Sequence, residues 1–345
     1  MAQFGLLEEP DDGGTGRGAP AGRRQGAGGG IAPAEPRLGL PAALHRHRER
    51  LWFGTSSWSF PGWAGLVYAE AATEARLARD GLAAYAQHPL LGGVGLDRTF
   101  YAPLSRVQYA RYASQVPESF RFLVKAPDLI TGAVVRDETG RQRAPNASHL
   151  DAAAAIEHCL VPAAEGLGER LGAIVFQFSP LPRAWLDDAP AWIARLDAFL
   201  GALPREAPLA VEVRDAALLT PRLLRTLATR DVALCLGLHA RMPPVERQLR
   251  ALAALEAMRG GPGPLLVRWS LHAGLGYEQA RARYQPFSRL VDEDPVTRSA
   301  LAERIAGGLL AGSTALVIAN NKAEGSAPLT LVRLAEAVAA RLDAA

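Results

Sequence analysis

The chain has little cysteine, no long apolar run and no excess of one charge, and each shortage removes a class of protein. Its two cysteines in 345 residues are Cys159, in a helix-like segment, and Cys235, inside the apolar run DVALCLGL. They have neither metal-ligand spacing nor the density of a disulfide scaffold, and both are expected as small core residues of a cytoplasmic protein. No apolar run approaches the ~20 residues that a membrane-spanning helix needs. The acidic start MAQFGLLEEPDDGG lacks the basic opening and apolar core of a signal peptide. Lys plus Arg (38) nearly balance Asp plus Glu (35), for a formal net charge of +3. That balance carries no footprint of nucleic-acid binding. Also missing are a GxSxG elbow, an HExxH zinc motif and a Gly-rich dinucleotide fingerprint after the first strand, where the chain reads GTSSWSFPGW. No metal and no cofactor is expected, with a mixed site of Asp97, Glu212 and His239 as the alternative.

What the chain does have is a hydrophobic fraction of 49% at a mean hydropathy of +0.02, enough to bury a large core. Residues 1–45, rich in Gly, Pro, Ala and Arg, offer too few large apolar groups to offset the entropy of ordering, and are expected to be a disordered tail. Its Arg17, Arg23 and Arg24 are offset by Glu8, Glu9, Asp11 and Asp12. The folded domain is expected over 46–345.

From Leu51 short apolar runs alternate with helix-like stretches, the pattern of a parallel sheet covered by helices. Eight strand candidates follow: 51–57, 93–97, 121–126, 172–178, 208–214, 232–238, 265–270 and 314–320. Helical periodicity falls between them at 73–88, 104–115, 149–168, 186–202, 220–230, 245–258 and 298–311, with a closing helix at 328–343. Eight such units predict an α/β fold, a single TIM-like (β/α) barrel, with an open doubly wound sheet as the competitor. The insertions 127–148 and 271–297 both follow strands and so belong to the loop face.

In a barrel, residues two apart share a face, and the inward face at the strands' carboxyl ends lines the site. The fifth strand carries Glu212 and Arg214 at that spacing. Charges in a strand buried on both faces need partners, so the two are expected inside, either as a general acid or base with its counterion or as an ion pair that closes the barrel. Lys125 and Arg268, at two other strand ends, could neutralise Glu212 or Asp97 or bind an anionic substrate. Asp97 and Glu212 together could be the carboxylate pair of a glycosidase or proton-transfer enzyme. Gln177 and Asn320 supply neutral groups that orient a substrate or satisfy loop backbone. Trp58 and Tyr101, with Trp63 and Phe100, could form an aromatic wall or seal the core.

The eighth strand stops abruptly in Asn320, Asn321 and Lys322. Gly325, Ser326 and Pro328 then read as a helix start with Ser326 as its cap. Lys322 beside that start, with Arg268 ending the seventh strand, resembles the anion sites that barrels build after strands seven and eight. Its alternative is a pairing of Lys322 with Glu324. The ligand expected is a small polar molecule, anionic or sugar-like. A non-catalytic binding or regulatory module and a nucleic-acid-processing barrel are the other readings.

Read in order, the pieces FGTSSWSFPGWAGLVY (53–68), RTFYAPLSRVQYARYASQVPESFRFLVKAP (98–127), GAIVFQFSP (172–180), LAVEVRD (209–215) and VIANNKAEGSAPL (317–329) resemble the YecE-like family, domain of unknown function 72. The resemblance implies a TIM-like barrel and, since the family has no established activity, no particular reaction. Where many members have Val-Glu-Ile-Asn before the Thr-Phe-Tyr run, this chain has Val94, Gly95, Leu96 and Asp97, so any role of that Glu is lost here. The Glu-x-Arg of the fifth strand is kept. The tract 266–298 looks like that of a longer subgroup and implies a loop over the site.

Overall fold

The computed structural model describes residues 30–35, 40–136 and 142–345. Eight parallel strands close into a barrel: β1 (Leu51–Thr55), β2 (Leu91–Leu96), β3 (Arg121–Lys125), β6 (Leu171–Phe178), β7 (Leu209–Val213), β8 (Ala233–Leu238), β9 (Leu265–Trp269) and β10 (Ala315–Ala319). Each coincides with one of the eight runs read from the sequence. The strands neighbour one another in chain order and β10 pairs with β1. The remaining two, β4 (Val134–Arg136) and β5 (Gln142–Pro145), form an antiparallel hairpin inside the first insertion. The open-sheet competitor is therefore excluded.

Alternation along the strands divides the core in two. Leu123, Ala173, Val175, Ala210, Ala233, Cys235, Leu266, Leu316 and Ile318 form a separate apolar cluster that fills the barrel interior. The intervening residues, such as Phe122, Val124, Ile174, Phe176, Val211 and Val267, pack outward in the larger cluster with the helices. Small residues at Ala173, Ala210 and Ala233 face larger ones, which is how an eight-stranded barrel fills its interior without a void.

Six helices begin where the sequence supplies a side-chain cap. Thr73, Ser105, Asp151, Asp188, Thr220 and Asp294 each accept a backbone N–H from the first turn of the following helix. Among the described residues, no helix is long and apolar enough to cross a membrane.

Of the stretch expected to be a disordered tail, 1–29 and 36–39 lie outside the described residues. The described part is anchored at a few points. Ala34 N–H donates to the Val67 carbonyl at 2.9 Å, and Ala42–His47 forms a 3-10 helix that buries Leu44 and His47. A composition averaged over the whole stretch hides these few anchors. The second insertion, 271–297, carries the helix Tyr277–Tyr284 and a small core of Leu271, Ala280, Tyr284 and Phe287. It docks on the loop after β1, where Phe287 meets Phe60 edge to face at 5.9 Å. The expected loop over the carboxyl ends of the strands is present as this folded unit.

Candidate active site at the carboxyl-end mouth

One step beyond the apolar interior, toward the carboxyl ends, the inward positions turn polar. Leu123 gives way to Lys125, Val175 to Gln177, Ala210 to Glu212, Leu266 to Arg268 and Ile318 to Asn320. Glu212 is wholly buried. Its Oε1 accepts from Arg214 Nε at 2.5 Å and its Oε2 from Arg268 Nη1 at 2.6 Å. The Gln177 Oε1 joins the two guanidiniums, accepting from Arg268 Nη1 at 2.9 Å and Arg214 Nη2 at 3.1 Å. Arg268 Nη2 reaches across the mouth to Asp97 Oδ1 at 2.7 Å. The network thus runs Arg214, Glu212, Arg268, Asp97, from β7 through β9 to the end of β2. It surfaces at Asp97, whose side chain is 35% exposed.

Glycine makes the room. A Cβ on Gly237, in β8 between the two charged strands, would lie 2.7 Å from Glu212 Oε1. At Gly95, the position where the family resemblance places a Glu, a Cβ would meet Ile318 Cγ2 at 3.1 Å and the Ser56 Cα at 3.4 Å. In this chain Ile318 takes the space that such a Glu side chain would enter.

The charges set one another's protonation. Burial alone would raise the pKa of Glu212, but the guanidiniums of Arg214 and Arg268 overcome it and hold the carboxyl at about 2. Burial likewise works against the charge on Arg268, and the carboxylates of Asp97 and Glu212 hold it well above its ordinary value. A carboxylate with both oxygens engaged and a pKa this low is a fixed anion that orients two guanidiniums. It does not exchange protons near neutral pH, which argues against the acid or base role expected for Glu212. The Asp97 and Glu212 pair is also not a free glycosidase pair, since one guanidinium lies on both.

Lys125 ends β3 and is 9% exposed. Its Nζ lies 3.5 Å from the centroid of the Phe100 ring and has no hydrogen-bond acceptor among the described residues. Burial, with Arg268 adding to it against the pull of Asp97 and Glu212, brings its pKa down to about 7. Lys322 lies just beyond β10. Its Nζ donates to Asn320 Oδ1 at 3.3 Å and sits 4.3 Å from the Tyr277 ring centroid. Burial, opposed by Asp97, lowers it to about 8. Glu324, the alternative partner, is instead buried and accepts from Arg298 Nη2 at 2.7 Å.

Other expected site residues lie elsewhere. Asn320 faces the mouth, where its Nδ2 donates to Ser56 Oγ at 2.7 Å. Asn321 points the other way into the core, and its Oδ1 accepts from Trp63 Nε1 at 3.2 Å and from Ala327 N–H at 2.8 Å. That second bond is the cap of the last helix. Ser326, expected to supply it, is fully buried with no side-chain cap bond, so the anion seat read at this helix start is already filled by the chain's own amide. Trp58 is a core residue, its Nε1 donating to the Leu77 carbonyl at 3.0 Å. Tyr101 stands at the rim, 70% exposed, against Phe100. His239 is pushed down to about 4 by burial and Arg214. The mixed metal site with Asp97 and Glu212 does not assemble, as no three metal-binding side chains converge among the described residues and both Glu212 oxygens are taken.

Tyr277, Phe287 and Gly237 are parts of the mouth that strand-end reasoning misses. One signal for the pair of amines does stand in the sequence. Of the 38 Lys and Arg residues only two are lysines, Lys125 and Lys322, and both are buried in this mouth.

A family model described as "Protein of unknown function DUF72" matches residues 52–345. The chain belongs to the DUF72 family. Two solved structures of DUF72 proteins share its fold. One, from Enterococcus faecalis V583, is 17% identical at a TM-score of 0.53 and covers 84% of this chain and 95% of its own. Another, from Thermotoga maritima MSB8, is 16% identical at 0.51 and covers 85% of this chain and 99% of its own. No curated protein matches the chain. For this DUF72 protein the relatives therefore speak to architecture, and the chemistry has to be read from its own mouth.

Proposed function

We propose that this DUF72 protein is an enzyme acting on a small, polar, anionic ligand at the carboxyl-end mouth of the barrel. One observation carries the reading: the chain's two lysines are both buried at this mouth, both with lowered pKa, and Lys125 lies in the field of two guanidiniums fixed by the buried carboxylate of Glu212. Strongly perturbed groups gathered at the catalytic face of a barrel are the pattern expected of a reaction site. Arg214 and Lys322 receive the ligand's negative charge, Asn320 orients it, and Glu212 with Gln177 keeps the arginines in place. Lys125, partly uncharged at neutral pH, is the group that gives and takes a proton or electron pair.

Thermal-shift screening with small carboxylates, phosphates and sugar phosphates, followed by product analysis of each stabilising compound, tests this. The expected result is an anionic compound that raises Tm and is converted, with kcat/KM rising through pH 7 as Lys125 loses its proton. Lys125→Met should keep the thermal shift and lose turnover. A stabilising ligand recovered unchanged after long incubation would make the mouth a binding module instead.

A further inference from the structure

Resting on the reading of the mouth as an enzyme site, we propose that Lys125 is a nucleophile that holds a small aldehyde or ketone bearing an anionic group as an imine. Three features of the structure support it. Lys125 is nine-tenths buried at the end of a barrel strand, and its Nζ makes no hydrogen bond among the described residues that would hold it away from a ligand. It faces the Phe100 ring, and the carboxylates of Asp97 and Glu212 offset part of the cost that burial and Arg268 put on a cation there. Arg214, whose Nε and Nη2 are engaged, keeps Nη1 without a partner among the described residues, and that N–H can receive the ligand's carboxylate or phosphate.

The composition points the same way. A chain that uses arginine for every other cation keeps lysine only in this mouth, where a guanidinium, always protonated, cannot serve as an amine nucleophile. Between the two lysines, Lys322 is committed to Asn320 and Tyr277. Lys125, packed on Phe100, is the one whose Nζ makes no hydrogen bond among the described residues.

The step balances without an outside oxidant or reductant. The neutral Nζ attacks the carbonyl carbon, the C=O π pair moves to oxygen, and a proton passes from nitrogen to oxygen to give a carbinolamine. The hydroxyl takes a proton from solvent and leaves as water while the nitrogen lone pair forms C=N, giving a protonated imine.

Because the chain has only two lysines, trapping is a clean test. The full-length protein is incubated at pH 7 with glyoxylate, pyruvate or glyceraldehyde 3-phosphate and sodium cyanoborohydride, then read by intact mass and peptide mapping. At that pH Lys125 has about a thousandfold larger uncharged fraction than an ordinary lysine. A reduced adduct on the Lys125 peptide, absent in Lys125→Arg and retained in Lys322→Arg, is expected with at least one probe. Adducts confined to Lys322 or the amino terminus, or none with all three probes, would overturn the proposal. Should Lys125→Arg fail to fold, the peptide map of the unaltered protein reads the same answer. A compound converted without any trapped adduct removes the imine and leaves the enzyme. An adduct on Lys125 with no compound converted anywhere leaves the nucleophile and removes the enzyme.

Discussion

The two ends of the barrel use the same guanidinium for different ends. At the amino ends of the strands, Arg121 donates to the Glu118 and Phe120 carbonyls, Arg170 to those of Val116 and Pro117, and Arg259 to those of Leu227 and Val232. These carbonyls lie where the chain turns into the next strand, and those of Pro117 and Leu227 accept the guanidinium beside a backbone N–H, a task for a long flexible cation near a helix end. At the carboxyl ends Arg214 and Arg268 are inside, and their partners are carboxylates and an amide. One end uses arginine to close backbone; the other builds a charged layer across the carboxyl ends of the strands. The difference matches the division of a barrel into a stability face and a reaction face.

The largest test of this contrast is Arg268→Met. It leaves Glu212 buried with one guanidinium in place of two and frees Asp97, and breaking a buried pair on one side costs about 3–5 kcal/mol. Urea denaturation should show that loss, and a cost below about 1 kcal/mol, the range of an exposed pair, would mean the layer is solvated. Glu212→Gln probes the same layer through pH. The carboxyl titrates at 4.5 ordinarily and at about 2 when folded, so between these values the unfolded chain binds the proton and the folded one does not. Stability contributed by Glu212 is thus whole above pH 4.5 and lost on the way down to 2. The variant should lack that part of the acid limb in thermal melts from pH 2 to 5.

Lys125 gives a smaller effect of related origin. Its pKa falls from 10.5 to about 7 on folding, so between those values the unfolded chain holds a proton that the folded chain has shed. Stability gains with rising pH across that window. Lys125→Met removes this share of the slope while Lys322, lowered to about 8, keeps its own. Melting curves from pH 7 to 10 that run parallel for variant and parent would mean that folding does not lower the pKa of Lys125.

How far the sequence led differs between the ends of the strands and their loops. Strand runs are apolar on both faces and bounded by turn residues, so all eight were legible. Alternation then placed Lys125, Gln177, Glu212 and Arg268 on one wall, because period two leaves no choice inside a strand. Past the last strand residue that rule lapses. Asn320 and Asn321 are adjacent and chemically alike, yet one faces the mouth and the other caps a helix through the core. Trp58 likewise turned inward to Leu77. Tyr277 and Phe287 reach the mouth from the insertion 271–297, which the sequence placed on the loop face without marking which of its rings would meet Lys322.

Arg259→Met completes the comparison from the other end and should be the mildest change. Its Nη2 bonds the Val232 carbonyl at 2.6 Å and the Leu227 carbonyl at 3.2 Å, both neutral acceptors, and the one carboxylate near it, Asp231 at 3.9 Å, is exposed. Losing a hydrogen bond of this kind costs about 1 kcal/mol, and water can replace the donor where the carbonyl is within its reach. The double variant Arg259→Met with Arg268→Met carries the sharper information. Arg259 holds the chain entering β8 at its amino end, Arg268 lies near the carboxyl end of β9, and they share no partner, so their costs should add within about 0.5 kcal/mol in denaturant titrations. A larger coupling would show that the charged layer and the base of the barrel are one mechanical unit, and the separation of faces argued from their partners would fail.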